Sequence, residues 1–263
     1  MKFTFDQDLH THCTLSRCVT DKGQTPARIL QYAIDNHLDT VCLTNHYWDA
    51  AVPGASRWYA EQDFDHLASA LPLPTARGVR FLFGCEADMS RDGRLTIPAE
   101  RFDDFDFVLI SLTHFNHSHL AIPKDAPARE RAKLWADRLA AVLDMPLPFH
   151  KVGLSHLACS YIDLGNRENY IETLNTISAD TMAKLFSKAA RLGVGIELNR
   201  CDMTYSDREA YAVLRMFRIA RDCGCRFFCG SDAHDAAALA VTPDTLTRAI
   251  SALGLQESDK FRI

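Results

Sequence analysis

At 263 residues, 47% hydrophobic and 24% charged, the chain has the composition of a globular protein and the length of one α/β domain, expected over residues 1–263. A net charge of −5, with no basic run interleaved with aromatics, argues against extended nucleic acid as a partner. No apolar run is long enough to cross a bilayer and no leader pattern opens the chain, so no membrane partner and a cytoplasmic location are expected.

In chain order, β-rich runs alternate with helical patterns. Strands are predicted over 3–9, 40–44, 79–86, 106–113, 152–155, 194–198 and 226–230, each rich in β-branched or aromatic residues. Thr25-Pro26 reads as a helix N-cap followed by proline at the first helical position. The stretch 88–98 suggests a small hairpin, and 127–145 is apolar at helical spacing. "SDRE" (206–209) has the form of a capping box, and Thr242-Pro243 is expected to start a last helix that Gly254 stops. Strand and helix in alternation predict a parallel sheet closed into an α/β barrel. The nine cysteines are odd in number and mostly sit in apolar runs, so free thiols are expected rather than a disulfide framework. Phosphate-loop glycine signatures are absent.

The unusual residues fall at the strand ends. In order they are His10 and His12, His46, Glu86, His114, His156, Asn199 with Arg200, and Asp232 with His234. A closed parallel barrel brings all C-terminal strand ends to one mouth, where these imidazoles and carboxylates would converge. Residues i and i+2 of a strand share a face, so "HTH" and "DAH" can each offer two ligands to one ion. With 11 histidines, chance alone supplies about half an H-x-H, so the joint pattern, not the pair, carries the inference. A second such pair, His117-Ser118-His119, lies in a polar loop and reads as loop or substrate-facing. His37, His66 and His150 read as surface or helix-end residues, and Tyr47 and Trp48 as walls of a substrate pocket.

"DLHTH", "LTNH", "GCEAD", "SLTH", "LSH", "IELN" and "GSDAH" together resemble the polymerase and histidinol phosphatase (PHP) family along essentially the whole chain. That resemblance implies a distorted (β/α)7 TIM-like barrel with a metal site at the C-terminal strand ends. It implies two or three divalent ions, zinc, iron or manganese, and hydrolysis by metal-activated water. Carried over, His10, His12, Glu86 and Asp232 form the catalytic metal-binding core, with Glu86 bridging to an ion completed by His114 and His156. His46 and His234 hold a third ion, joined by Cys18 where some members have histidine, or by Asp21. Asn45 stands where the family commonly has aspartate. Arg200 is expected either to grip a substrate phosphate or to pair with Asp202 or Asp207.

The function implied is phosphate release from a small phosphorylated metabolite. A phosphodiesterase or exonuclease on nucleotides, and a metal-stabilised module without turnover, are the alternatives. A C–N hydrolase of the amidohydrolase type would want a lysine at a strand end, and none is found there.

Overall fold

The computed structural model describes residues 1–115 and 121–263; the His117-Ser118-His119 pair lies outside the described residues. Eight strands form one parallel sheet: β1 (Gln7–Thr11), β2 (Thr40–Leu43), β3 (His46–Tyr47), β4 (Arg80–Asp88), β5 (Phe107–Ser111), β6 (Val152–Ser155), β7 (Gly195–Asn199) and β8 (Arg226–Gly230). Their order is β1-β2-β4-β5-β6-β7-β8, with the two-residue β3 on β4. The seven expected strands are therefore present, and β3 is an addition. The connecting helices are α1 (Pro26–Asp35), α2 (Phe64–Ala68), α3 (Ala128–Asp144), α4 (Arg167–Thr176), α5 (Ala179–Leu192), α6 (Asp207–Asp222) and α7 (Ala236–Leu253). No described helix is long and apolar enough to cross a membrane.

The barrel closes between β8 and β1 by backbone bonds at the mouth, Asp232 N to His10 O at 2.7 Å and His12 N to Ala233 O at 3.2 Å. Below them Asp8 Oδ1 accepts from Ser231 N at 2.9 Å, a side chain standing in for a strand carbonyl. At the opposite end Phe261 N donates to Phe227 O and Gln7 Nε2 donates to Phe261 O at 3.1 Å, so the C-terminal segment fills the remaining gap. The first strand begins at Gln7 rather than residue 3, because residues 2 and 3 bond instead to the C-terminal segment at Gln256 and Leu255.

Phe107, Phe228 and Phe261 fill the barrel interior with Leu9, Cys42, Leu82 and Leu109. Three rings fit because facing positions are glycine: a Cβ on Gly153 would stand 2.6 Å from both Phe107 and Phe228 ring atoms. Above this apolar floor the inward positions turn polar. Glu86 sits opposite Leu109 and Glu197 opposite Phe228. A register shift between Asp8 and Thr11 on β1 re-aims the strand, and His10 follows the inward Leu9 into the barrel.

The helix starts at Thr25-Pro26 and at Ser206 are as expected: Thr25 accepts from Arg28 N, and Ser206 with Glu209 forms the capping box. The 88–98 turn closes on an antiparallel bridge between Met89 and Leu95. Thr242-Pro243 does not start a helix. α7 begins at Ala236 under an Asp235 cap and carries Pro243 inside it. Burial of Leu239 in the core beside α1 outweighs the missing N–H, and Thr242 Oγ1 donates to Ala238 O at 2.7 Å within the same turns.

Gly153→Ala is expected to overpack this interior and lower unfolding free energy by about 1–3 kcal/mol, read from the urea midpoint. A midpoint unchanged from wild type would contradict the packing described.

Candidate metal centre

All the strand ends but that of β7 carry their chosen imidazole or carboxylate to one mouth. His10 lies in β1, His46 in β3 and Glu86 in β4, while His12, His114, His156 and Asp232 follow the ends of β1, β5, β6 and β8 by one to three residues. Two of these positions have left-handed backbones, His156 at φ 33° and Asp232 at φ 50°. Non-glycine residues pay on the order of 1–3 kcal/mol for such conformations, which persist where the surroundings impose them. Both turns aim a side chain back over the mouth.

The hydrogen bonds fix which ring nitrogen faces inward. His10 Nδ1 lies 2.7 Å from Glu197 Oε1 and His114 Nδ1 2.7 Å from Asp88 Oδ1; carboxylates accept, so in both rings Nδ1–H donates. His234 Nδ1 donates to the Asp232 carbonyl at 2.9 Å. Thr113 gives its single proton to His156 O at 3.1 Å, so its oxygen accepts from His156 Nδ1 at 3.0 Å. Likewise Ser16 donates to Asn45 Oδ1 at 2.9 Å and accepts from His12 Nδ1 at 3.0 Å. Five imidazoles are thus anchored at Nδ1 and, when neutral, present the Nε2 lone pair. This is the arrangement that orients metal-binding histidines.

The free ends converge. His10 Nε2 and His12 Nε2 are 3.0 Å apart, and each is 3.5 Å from Glu86 Oε2. Asp232 Oδ1 is 3.5 Å from the first and 3.2 Å from the second, and His156 Nε2 is 2.8 Å from Glu86 Oε1. His234 Nε2 is 2.9 Å from Cys18 Sγ. Glu86 Oε2 and His46 Nδ1, both buried, are 3.0 Å apart yet misaligned for a hydrogen bond, and among the described residues neither makes another hydrogen bond, Glu86 Oε2 meeting only the His10 and His12 rings at 3.5 Å. Buried electron-rich atoms left this way call for a cation between them. Among the described residues, four groupings bring ligand atoms within 4.8 Å of one another: His12/Cys18/His46/His234, His10/His12/Glu86, His10/His156/Asp232 and Glu86/His114/His156. The donor set fits divalent ions.

Electrostatics point the same way. Burial alone would lower His10 and His46, but Glu197, Asp232 and Glu86 around the first, and Glu86 and Cys18 around the second, raise both well above the usual range. His156 rises to about 9 against its burial, chiefly through Glu86. Burial would raise Glu86 and Asp232, yet the facing histidines hold both well below the carboxylate norm. Burial and the neighbouring His234 push His12 down. Burial would raise the Cys18 thiol, but His46 and His234 bring it to about 7. Without an ion, the two acids hold their charge by keeping protons on the rings.

The centre borders a cavity of about 60 Å³, lined by Cys18, His46, Trp58, Glu86, His114, His156, Tyr161, Asp232 and His234. That is room for a few ions or waters. Comparison with models of known protein families finds no match, and neither does comparison with curated proteins. Among solved structures, a crystal structure of histidinol phosphate phosphatase from Lactococcus lactis subsp. lactis Il1403, complexed with zinc, L-histidinol and phosphate, aligns at a TM-score of 0.57. It has 15% identity and covers 99% of this chain and 100% of that chain. The chain shares the fold of that histidinol phosphate phosphatase. A chain from a study of metal-dependent tyrosine phosphatases of Bacillus subtilis and Streptococcus pneumoniae aligns more weakly, at TM-score 0.42 and 14% identity, covering 98% and 96% of the two chains.

Other residues singled out in the sequence lie elsewhere. Asp21 pairs with Arg28, so Cys18 and not Asp21 stands beside His46 and His234. Arg200 lies beyond β7, with Nε on Ser231 O at 3.1 Å and Nη2 at 3.2 Å from Cys201 Sγ; it is not in the cavity lining. Tyr47 and Trp48 are buried in packing, and the aromatic walls are Trp58 and Tyr161 instead. His37 and His150 are exposed, and His66 Nε2 bonds to Leu15 O at 2.8 Å. Asn45 supports His12 through Ser16 rather than touching an imidazole itself.

The anchors went unread in the sequence. Glu197 is fully buried, accepting from His10 Nδ1, from His156 N at 2.6 Å and from Asn199 Nδ2 at 3.1 Å. A charged residue inside the apolar strand run "GIELN" was the available signal.

Two outcomes follow from this geometry. Each raised ring must shed a proton before its lone pair can hold an ion. Metal affinity should therefore rise with pH towards about 9, the value for His156, and zinc added at neutral pH should release protons to an indicator dye. Affinity flat across that range would contradict it. Glu197→Gln should weaken metal binding about 10–100-fold by competition against a chelating dye, and an unchanged affinity would show that the anchor does not matter.

Proposed function

We propose that this chain, as one domain over residues 1–263, is a metal-dependent phosphoesterase of the polymerase and histidinol phosphatase family, releasing phosphate from a small phosphorylated metabolite. The convergence of Nδ1-anchored imidazoles on Glu86 and Asp232 carries this reading. The fold shared with a histidinol phosphate phosphatase supports it. His10, His12, Glu86 and Asp232 would hold one ion, Glu86 with His114 and His156 a second, and Cys18, His46 and His234 a third. When bound, divalent ions would lower the pKa of water and neutralise phosphate charge.

The chain's own groups do the rest. The facing histidines hold Glu86 and Asp232 well below the usual carboxylate range, and burial with His234 pushes His12 down, so all three lean towards the proton-free form that binds an ion. Glu197, Asp88, Ser16 and Thr113 hold the rings in one orientation, which leaves little to reorganise when a phosphate arrives. Trp58 and Tyr161 stand at the mouth beside His46 and His114, with ring centroids 5.1 Å and 5.4 Å away. They are placed to contact the organic part of a substrate while its phosphate faces the centre.

The test is phosphate release from an aryl phosphate, an aryl phosphodiester and a panel of phosphorylated metabolites including histidinol phosphate. Protein loaded with zinc, manganese or iron should cleave monoesters, lose the activity to a chelator, and lose at least about 100-fold in Glu86→Gln, because a ligand should cost no less than the groups that orient one. Tight metal binding with no ester cleaved would contradict the proposal, and preference for the diester would move the substrate class to nucleotides.

A further inference from the structure

Resting on the reading that this centre binds metal, we propose that the corner formed by Cys18, His46 and His234 selects a thiophilic ion, so that the centre holds two kinds of metal. Cys18 Sγ stands 2.9 Å from His234 Nε2, and its ligand atom falls within 4.8 Å of those of His12, His46 and His234. Of the nine cysteines, it is the one found in a ligand grouping among the described residues. The other three groupings offer only imidazole and carboxylate.

His12 belongs to two groupings, yet its Nδ1 is held by Ser16, so its single inward lone pair serves one ion. Given to the Cys18 corner, it completes a four-ligand set of one sulfur and three nitrogens. Given to His10 and Glu86, it leaves the corner with three protein ligands and an open position. Closed and open four-coordinate sets with sulfur and nitrogen ligands both suit zinc. Either way the corner keeps the thiolate, which sharpens the preference for zinc or cobalt(II) over manganese, while the carboxylate-bearing positions discriminate less and are the ones that manganese or iron(II) in excess would fill.

Cobalt(II) added to the full chain reads the proposal by absorption. Wild type should show a sulfur-to-cobalt charge-transfer band in the near ultraviolet, and Cys18→Ser and Cys18→Asp should lose it while still binding cobalt elsewhere. Circular dichroism identifies whichever variant is folded. In excess manganese with limiting zinc, wild type should retain about one zinc per chain and Cys18→Asp should exchange it. Cobalt bound without the band, with phosphatase activity intact, would overturn this proposal and leave the phosphoesterase reading standing. A band that persists in the folded Cys18 variants would assign the thiolate elsewhere and overturn it too. No cobalt bound at all would remove both.

Discussion

Glu197 lies wholly inside the barrel and joins β7 to β1 and β6, two of the strands whose ends carry the centre. One oxygen takes the Nδ1 proton of His10 and the other the backbone N–H of His156. A buried carboxylate is costly unless every lone pair is used; here Asn199 takes another at 3.1 Å and also reaches Asp232 Oδ2 at 3.5 Å. The same residue shapes the backbone opposite: a Cβ on Gly230 would fall 1.8 Å from Glu197 Oε1. One acid thus sets the orientation of one ring, the left-handed turn at another, and the identity of a residue on a third strand.

The other anchors repeat this logic with different chemistry. Asp88, itself bound by the Tyr59 hydroxyl, turns His114. Ser16 and Thr113 do so with one hydroxyl each, and His234 uses a carbonyl from its own turn. Rings fixed this way lose little freedom on taking up a ligand, and that preorganisation is the barrel's contribution to any chemistry at the mouth. The floor of phenylalanines and facing glycines supplies a rigid, dry base beneath it.

Much of this could be read from the order of residues. Seven strand runs and their terminal histidines and acids were legible because strand periodicity and strand length are local signals. Thr25-Pro26 and "SDRE" were legible for the same reason. Thr242-Pro243 misled, since the local cap signature was outweighed by a tertiary contact at Leu239. β3 was invisible as a two-residue strand that exists only by pairing with β4. Glu197 and Asp88 escaped because an acid's role as an anchor depends on which ring lies across the barrel, and no local pattern carries that. Trp58 reaches the mouth from a long loop and Tyr161 from a short 3-10 turn after β6, where sequence gives direction poorly, and so Tyr47 and Trp48 looked the better candidates.

What ties fold to function is the claim that inward Nε2 atoms, with Glu86 and Asp232, embrace cations. Anomalous diffraction from crystals of zinc-loaded protein tests it directly. The account predicts peaks at the barrel mouth in contact with Nε2 of His10, His12, His114 and His156 and with Glu86 and Asp232, while the Nδ1 bonds to Glu197, Ser16, Asp88 and Thr113 stay in place. Peaks only at surface histidines, or rings turned so that Nδ1 meets the metal and the anchors are broken, would contradict it.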